Sequence, residues 1–162
     1  MATPDYKTEL EQLRRDYVEA DPRQRWRIAQ HRVRNLHHGP NRLVAAVSAV
    51  EGFARSLVVE RRAASKAERW KLYGEYRNKS AEELVTEYLE RRALPKFDDE
   101  TWRLFGFAVQ YRNLLVHECT YLGDDRATPL INACFVILHS LAESQGLAEP
   151  KVAGAGKPAN RR

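Results

Sequence analysis

Apolar residues recur along most of this chain at intervals of three and four, the period of a helix face, and strict alternation is scarce. Tyr6, Leu10, Leu13 and Tyr17 form the first stripe. It follows Thr3-Pro4, which reads as N-cap and first helical residue, because proline lacks a donor that the first turn leaves unpaired anyway. Asp21-Pro22 repeats that start. Trp26, Ala29, Val33 and Leu36 make the second stripe, with Gly39 as its stop. Pro40 then opens a long helix, predicted to reach about Ala64, on the stripe Leu43, Val47, Val50, Ala54 and Leu57.

Residues 66–92 are more polar. Ala67–Tyr76 reads as a helix with Trp70 and Tyr73 at spacing three. Ser80-Ala-Glu-Glu83 has the form of a capping box, and Leu84, Val85, Tyr88 and Leu89 give the next helix a buried side before Pro95 ends it. The expectation is an excursion between the main core helices, serving as a lid or an interaction surface. Asp98 or Asp99 caps the next helix. Phe105, Ala108, Val109, Arg112 and Val116 trace one of its faces, and Trp102, Phe105, Val109 and Asn113 a neighbouring one. Thr128-Pro129 is read as the start of the last helix, with Leu130, Cys134, Ile137, Leu138 and Leu141 as core and Gly146 as stop.

The pattern predicts an all-α bundle of five to seven helices. Three of them, at about 40–64, 99–117 and 129–145, are expected to build the core. Residues 1–39 form an N-terminal helical extension, residues 40–146 the bundle, and residues 147–162 a disordered basic tail.

Charge adds little to this picture. The chain carries 20 Arg and 7 Lys, a net charge of +5 and a pI near 9.4. That balance suits acidic partners such as RNA but bears mainly on solubility. Arg23, Arg25, Arg27, Arg32 and Arg34 are expected to form a solvated basic face, an RNA-contacting face being the sharper reading. Cys119 and Cys134 make no CxxC or metal-ligand pattern, which fits reduced thiols in the cytoplasm. No stretch approaches the roughly 20 apolar residues of a membrane span, and the first residues have no signal-peptide core.

Candidate chemistry concentrates at Arg112-Asn-Leu-Leu-Val-His117, where an apolar helix ends on a cation, an amide and an imidazole. Asn113 and His117 are four apart and share a face. Arg112 and His117 are five apart, about 140° around a regular helix. The length of Arg and a fraying last turn at His117 are expected to close that gap. Arg can clamp a phosphate in two-pronged fashion and stabilise its developing charge. His can move a proton near neutrality, and Asn can orient either the imidazole or a phosphate oxygen. RNA brings its own nucleophile, the 2′-hydroxyl, so this chemistry calls for no metal and no cofactor. As a bare pattern Arg-x4-His is weak, since Arg32 and His37 repeat it in this chain. Glu51, in the most apolar part of its helix, needs a partner if buried. Either Arg55 four residues on or Arg112 would serve.

Arg112-Asn113-Leu-Leu-Val-His117, late in a small all-α domain, resembles the Arg-x(4–6)-His signature of the HEPN superfamily. The likeness covers the motif and the helical architecture of residues 40–146. It implies an up-and-down helical bundle and a metal-independent endoribonuclease of toxin or antiviral-defence type. It also implies a homodimer with one composite cleft and, in some members, a nucleotidyltransferase antitoxin as regulatory partner. Carried onto this chain, the catalytic residues are Arg112, His117 and Asn113, with Glu51 and Tyr121 supporting them from behind. One toxin subgroup has Tyr two residues after the His. Here that position is Cys119, and Tyr121 is the nearest tyrosine. The plainer alternative is a non-catalytic helical module that binds a protein or nucleotide, with Arg112 in a structural ion pair and His117 favoured by the helix dipole.

Overall fold

The computed structural model describes residues 12, 15, 16, 18–34, 39–118 and 124–147. Among them six helices follow one another and no strand occurs: α1 (Pro22–Arg34), α2 (Gly39–Arg62), α3 (Lys66–Glu75), α4 (Ala81–Arg91), α5 (Asp99–Glu118) and α6 (Asp124–Ser144). The Thr3-Pro4 start, the stripe from Tyr6 to Tyr17 and the tail beyond Leu147 lie outside the described residues.

The bundle is organised around α2, which packs against all five other helices. Leu43, Val47, Val50, Ala54 and Leu57 are buried as their spacing predicts, and Phe53, Val58 and Val59 are buried beside them. A helix with apolar residues on so many faces has to be surrounded. Trp26 of α1 lies 5.7 Å from Phe53 and 5.5 Å from His139 of α6, ring centre to ring centre, so α1 shares this core.

Several expectations need correction. The segment 66–92 is no peripheral excursion. Leu84, Val85 and Tyr88 of α4 are fully buried against α2, and the Tyr88 hydroxyl sits 2.7 Å from Ser144 Oγ. Five core residues in one 11-residue helix leave no lid to swing. Gly39 does not stop α1; it is the first residue of α2. Pro129 does not open the last helix, which starts at Asp124 and carries the proline inside it. Buried Ala127 pins the extra turn to the core, while Asp125 and Pro129 are exposed. The carbonyl deprived of its proline donor, that of Asp125, can therefore turn to water.

Helix ends follow the sequence closely. Asp21 Oδ1 accepts from the Gln24 amide at 2.8 Å while Gln24 Oε1 accepts from the Asp21 amide at 2.8 Å. Ser80 and Glu83 form a reciprocal capping box, and Asp98, not Asp99, caps α5 through the Thr101 amide. Two helices end in the same left-handed motif. After α6, Gly146 (φ 65°) donates to Glu143 O and Leu147 to Ala142 O. After α4, Ala93 (φ 50°) donates to Glu90 O and Leu94 to Leu89 O. Glycine takes the left-handed conformation freely, whereas alanine crowds its Cβ against the following carbonyl. Ala93→Gly is therefore expected to stabilise the fold by about 0.5–1 kcal/mol and Gly146→Ala to destabilise it by about 1 kcal/mol. Urea unfolding checks both, and a stability loss in Ala93→Gly would contradict this account.

Candidate functional site

The predicted residues sit where the middle of α2 faces the C-terminal half of α5. Glu51, flanked by buried Val50 and Phe53, keeps about a fifth of its side chain exposed, at 21%. Its Oε1 accepts from Arg55 Nη2 at 2.8 Å and its Oε2 from Arg112 Nη2 at 2.9 Å. Both partners open to it from sequence reasoning are thus present together. Arg55 is held a second time, donating from Nε to the Tyr76 carbonyl at 3.2 Å. Two guanidinium groups share one carboxylate, so the cluster carries a net charge of +1.

Arg112 Nε also donates to Asn113 Oδ1 at 3.0 Å. Of the five donors on its guanidinium, Glu51 and Asn113 take two, and three remain beyond the contacts among the described residues. The head is fixed but can still meet an anion. Accepting through Oδ1 keeps the Asn113 amide NH2 out of that bond, and Asn113 itself is exposed.

His117 is exposed on the last turn of α5. The expected fraying there does not occur, because α5 stays helical through Glu118. His117 therefore leaves the axis about 140° away from Arg112 and roughly 7.5 Å further along. Arg112 faces α2, while Asn113, Leu114 and His117 face solvent. Asn113 joins the two sides, touching Arg112 and sharing the face of His117. Among the described residues the motif is laid out as a strip along α5. Tyr121 and Cys119 lie outside the described residues.

The floor beneath Arg112 is apolar. Cys134 of α6 is fully buried, and burial pushes its thiol up to about 12, with the nearby Arg112 charge pulling the other way. It is a small hydrophobe, not a nucleophile. Tyr111 is buried too, and burial raises its hydroxyl above the ordinary tyrosine value. Among the described residues no three His, Cys, Asp or Glu side chains cluster so as to hold a metal ion. No helix among them is long and apolar enough to cross a membrane.

From the sequence Arg55 stands only as an alternative to Arg112 as the partner of Glu51. Its place as the second cation of the cluster was signalled by the i,i+4 spacing, but not its anchorage on the Tyr76 carbonyl. Comparison of the chain with protein-family models, with curated proteins and with solved structures finds no match.

Proposed function

We propose that this protein is an endoribonuclease of the HEPN type that needs no metal. Arg112 acts as phosphate clamp, His117 as acid/base and Asn113 as orienting residue. The observation that carries the reading is the fixed Arg112 head. It is positioned by Glu51 and Asn113, keeps three donors beyond those two bonds, and lies beside Asn113, which shares a helix face with the exposed His117. In the reaction the 2′-oxygen attacks the adjacent phosphorus and its bond to the 5′-oxygen breaks. The 2′-hydroxyl proton is lost and the leaving oxygen is protonated, giving a 2′,3′-cyclic phosphate and a 5′-hydroxyl. Arg112 meets the charge that builds on the non-bridging oxygens.

The strip-like layout favours a composite site. With Arg112 and His117 about 140° apart on one helix, a second protomer would bring its own His117 or Arg112 across the phosphate. Homodimerisation follows from that need. The setting of such an enzyme, as a toxin held by an antitoxin or as a cytoplasmic defence effector, rests on the sequence resemblance alone.

A second reading has its own observation. Arg112 is held in an ion pair with Glu51, as a structural residue would be, and Phe107 and Leu114 stand about half exposed on the solvent side of α5. Both would suit a non-catalytic module that docks a protein or nucleotide.

Incubating the purified protein with mixed RNAs in EDTA separates the two. The enzyme reading expects fragments ending in 2′,3′-cyclic phosphate, and a fall of about 10²–10⁴-fold in rate for His117→Ala. It also expects activity per chain to drop on dilution below the dimer dissociation constant. Undiminished cleavage by His117→Ala would refute the assignment. No cleavage of any RNA by the concentrated protein would favour the docking module.

A further inference from the structure

Far from the Arg112 cluster, the C-terminal end of α4 and the N-terminal end of α5 enclose a cavity of about 350 Å³. That is large enough for a small ligand. Leu89 and Leu94 line it together with Phe97 and Trp102, whose rings are parallel to within 2° with centres 6.3 Å apart. Both rings are only partly buried. Three charged residues stand at the edge, Glu90, Asp99 and Lys96, all exposed. None of the three makes an ion pair with a described residue, although seven other pairs form among the described residues. Two carboxylates against one ammonium leave the rim acidic, in a chain whose net charge is +5. The carbonyl end of α4 adds negative potential there, and the amide end of α5 offsets part of it.

One further feature belongs to the same wall. Ala93, which lines the cavity, is the non-glycine residue held at positive φ among the described residues. The turn it makes swings Leu94 and the strap through Phe97 over the cavity. Retaining alanine where glycine is easier is the kind of local strain that tends to collect at binding sites.

We propose that this cavity binds a small planar aromatic molecule carrying a protonated amine. The ring would lie against Trp102 and Phe97, and the ammonium would meet Glu90 and Asp99. An aromatic wall beside a cation adds a cation–π attraction that an anionic ligand would lack. The proposal is independent of the ribonuclease reading.

Tryptamine and indole-3-acetate, alike in ring and opposite in charge, are suitable probes. Nitrogen–proton correlation spectra of the ¹⁵N-labelled protein would follow the Trp102 indole, identified among three tryptophans with Trp102→Phe. Tryptamine is expected to shift that signal saturably, with a dissociation constant on the order of 0.1–1 mM for a ligand of this size. Indole-3-acetate should bind several-fold more weakly. The double variant Glu90→Gln/Asp99→Asn alters two exposed side chains, so the fold is expected to hold, and the preference should vanish. No saturable shift with tryptamine, equal binding of the two probes, or an unchanged preference in the double variant would each overturn the proposal.

Discussion

Replacing Arg25 with alanine will cost about 3–5 kcal/mol of stability, the range seen when one partner of a buried charge network is removed. Arg25 is 1% exposed. Its Nη2 donates to the Val18 carbonyl at 2.8 Å and its Nη1 to the Ser56 carbonyl at 3.0 Å. The first bond has a covalent cause. The residue four beyond Val18 is Pro22, which has no N–H, so the usual helical donor to that carbonyl does not exist. Arg25 supplies it from the following helix. Its guanidinium also lies 5.5 Å from the centre of the Tyr73 ring and 3.9 Å from Glu60 Oε2, a buried oxygen that no hydrogen bond satisfies. Removing the side chain strips a donor from two carbonyls, leaves Glu60 with Arg69 alone, and opens a cavity beside Tyr73. Lysine is expected to recover less than half of the loss, because one ammonium cannot copy the two-armed fork. Urea unfolding of the two variants measures this. A loss below about 1 kcal/mol for Arg25→Ala would mean that the buried guanidinium is compensated elsewhere.

Arg25 also marks where sequence reading stops. It was grouped with Arg23 and Arg27 on a solvated face, and those two are indeed exposed. Nothing local separates the three. Arg25 is one position from Trp26 and four from Ala29, at the border of the stripe. What buries it is the convergence of Val18, Ser56, Glu60 and Tyr73 from other segments. Burying a cation is costly unless such partners meet it, and those partners are tertiary information. Caps and stripes are different. The Ser80–Glu83 box and the Leu43-to-Leu57 stripe depend on residues within a turn or two of each other, so their spacing carried them. Pro129 failed for the opposite reason. Its local signal was strong, and packing of Ala127 on the core prevailed over it. The importance of α2 was likewise half visible. Its apolar residues could be read, but that all five other helices lean on it could not.

The site divides along the same line. The Glu51–Arg55 link is an i,i+4 pair within one helix. The Glu51–Arg112 link joins positions 61 residues apart and was open only as an alternative. The reach of α5 to about residue 117 was legible in its spacing, whereas the regularity of its last turn was not, because the polar end of the motif and the turn signals from Gly123 onward suggested fraying there.

Arg112→Ala should then distinguish a clamp from a strut, because the two roles predict opposite losses. The Arg112–Glu51 pair is partly exposed, with side-chain exposures of 19% and 21%. Water screens such a pair, so its removal is expected to cost no more than about 1 kcal/mol of stability. Glu51 would keep Arg55, and no carboxylate would be left without a partner. If Arg112 stabilises charge on a phosphate, the same change should slow RNA cleavage by about 10²–10³-fold, the usual effect of deleting one such donor. Arg112→Lys keeps the charge but lacks the planar fork, so it should fold normally and remain strongly impaired. Glu51→Gln acts through Arg112 rather than on RNA. Losing the carboxylate makes the cluster more positive, which tightens RNA binding and lowers KM. Losing one anchor lets the guanidinium wander, which lowers kcat. A strut gives the reverse result: each variant loses stability while cleavage per folded molecule stays constant. Measuring kcat, KM and urea stability on the same preparations decides between them, and unchanged kcat in Arg112→Ala would end the clamp assignment.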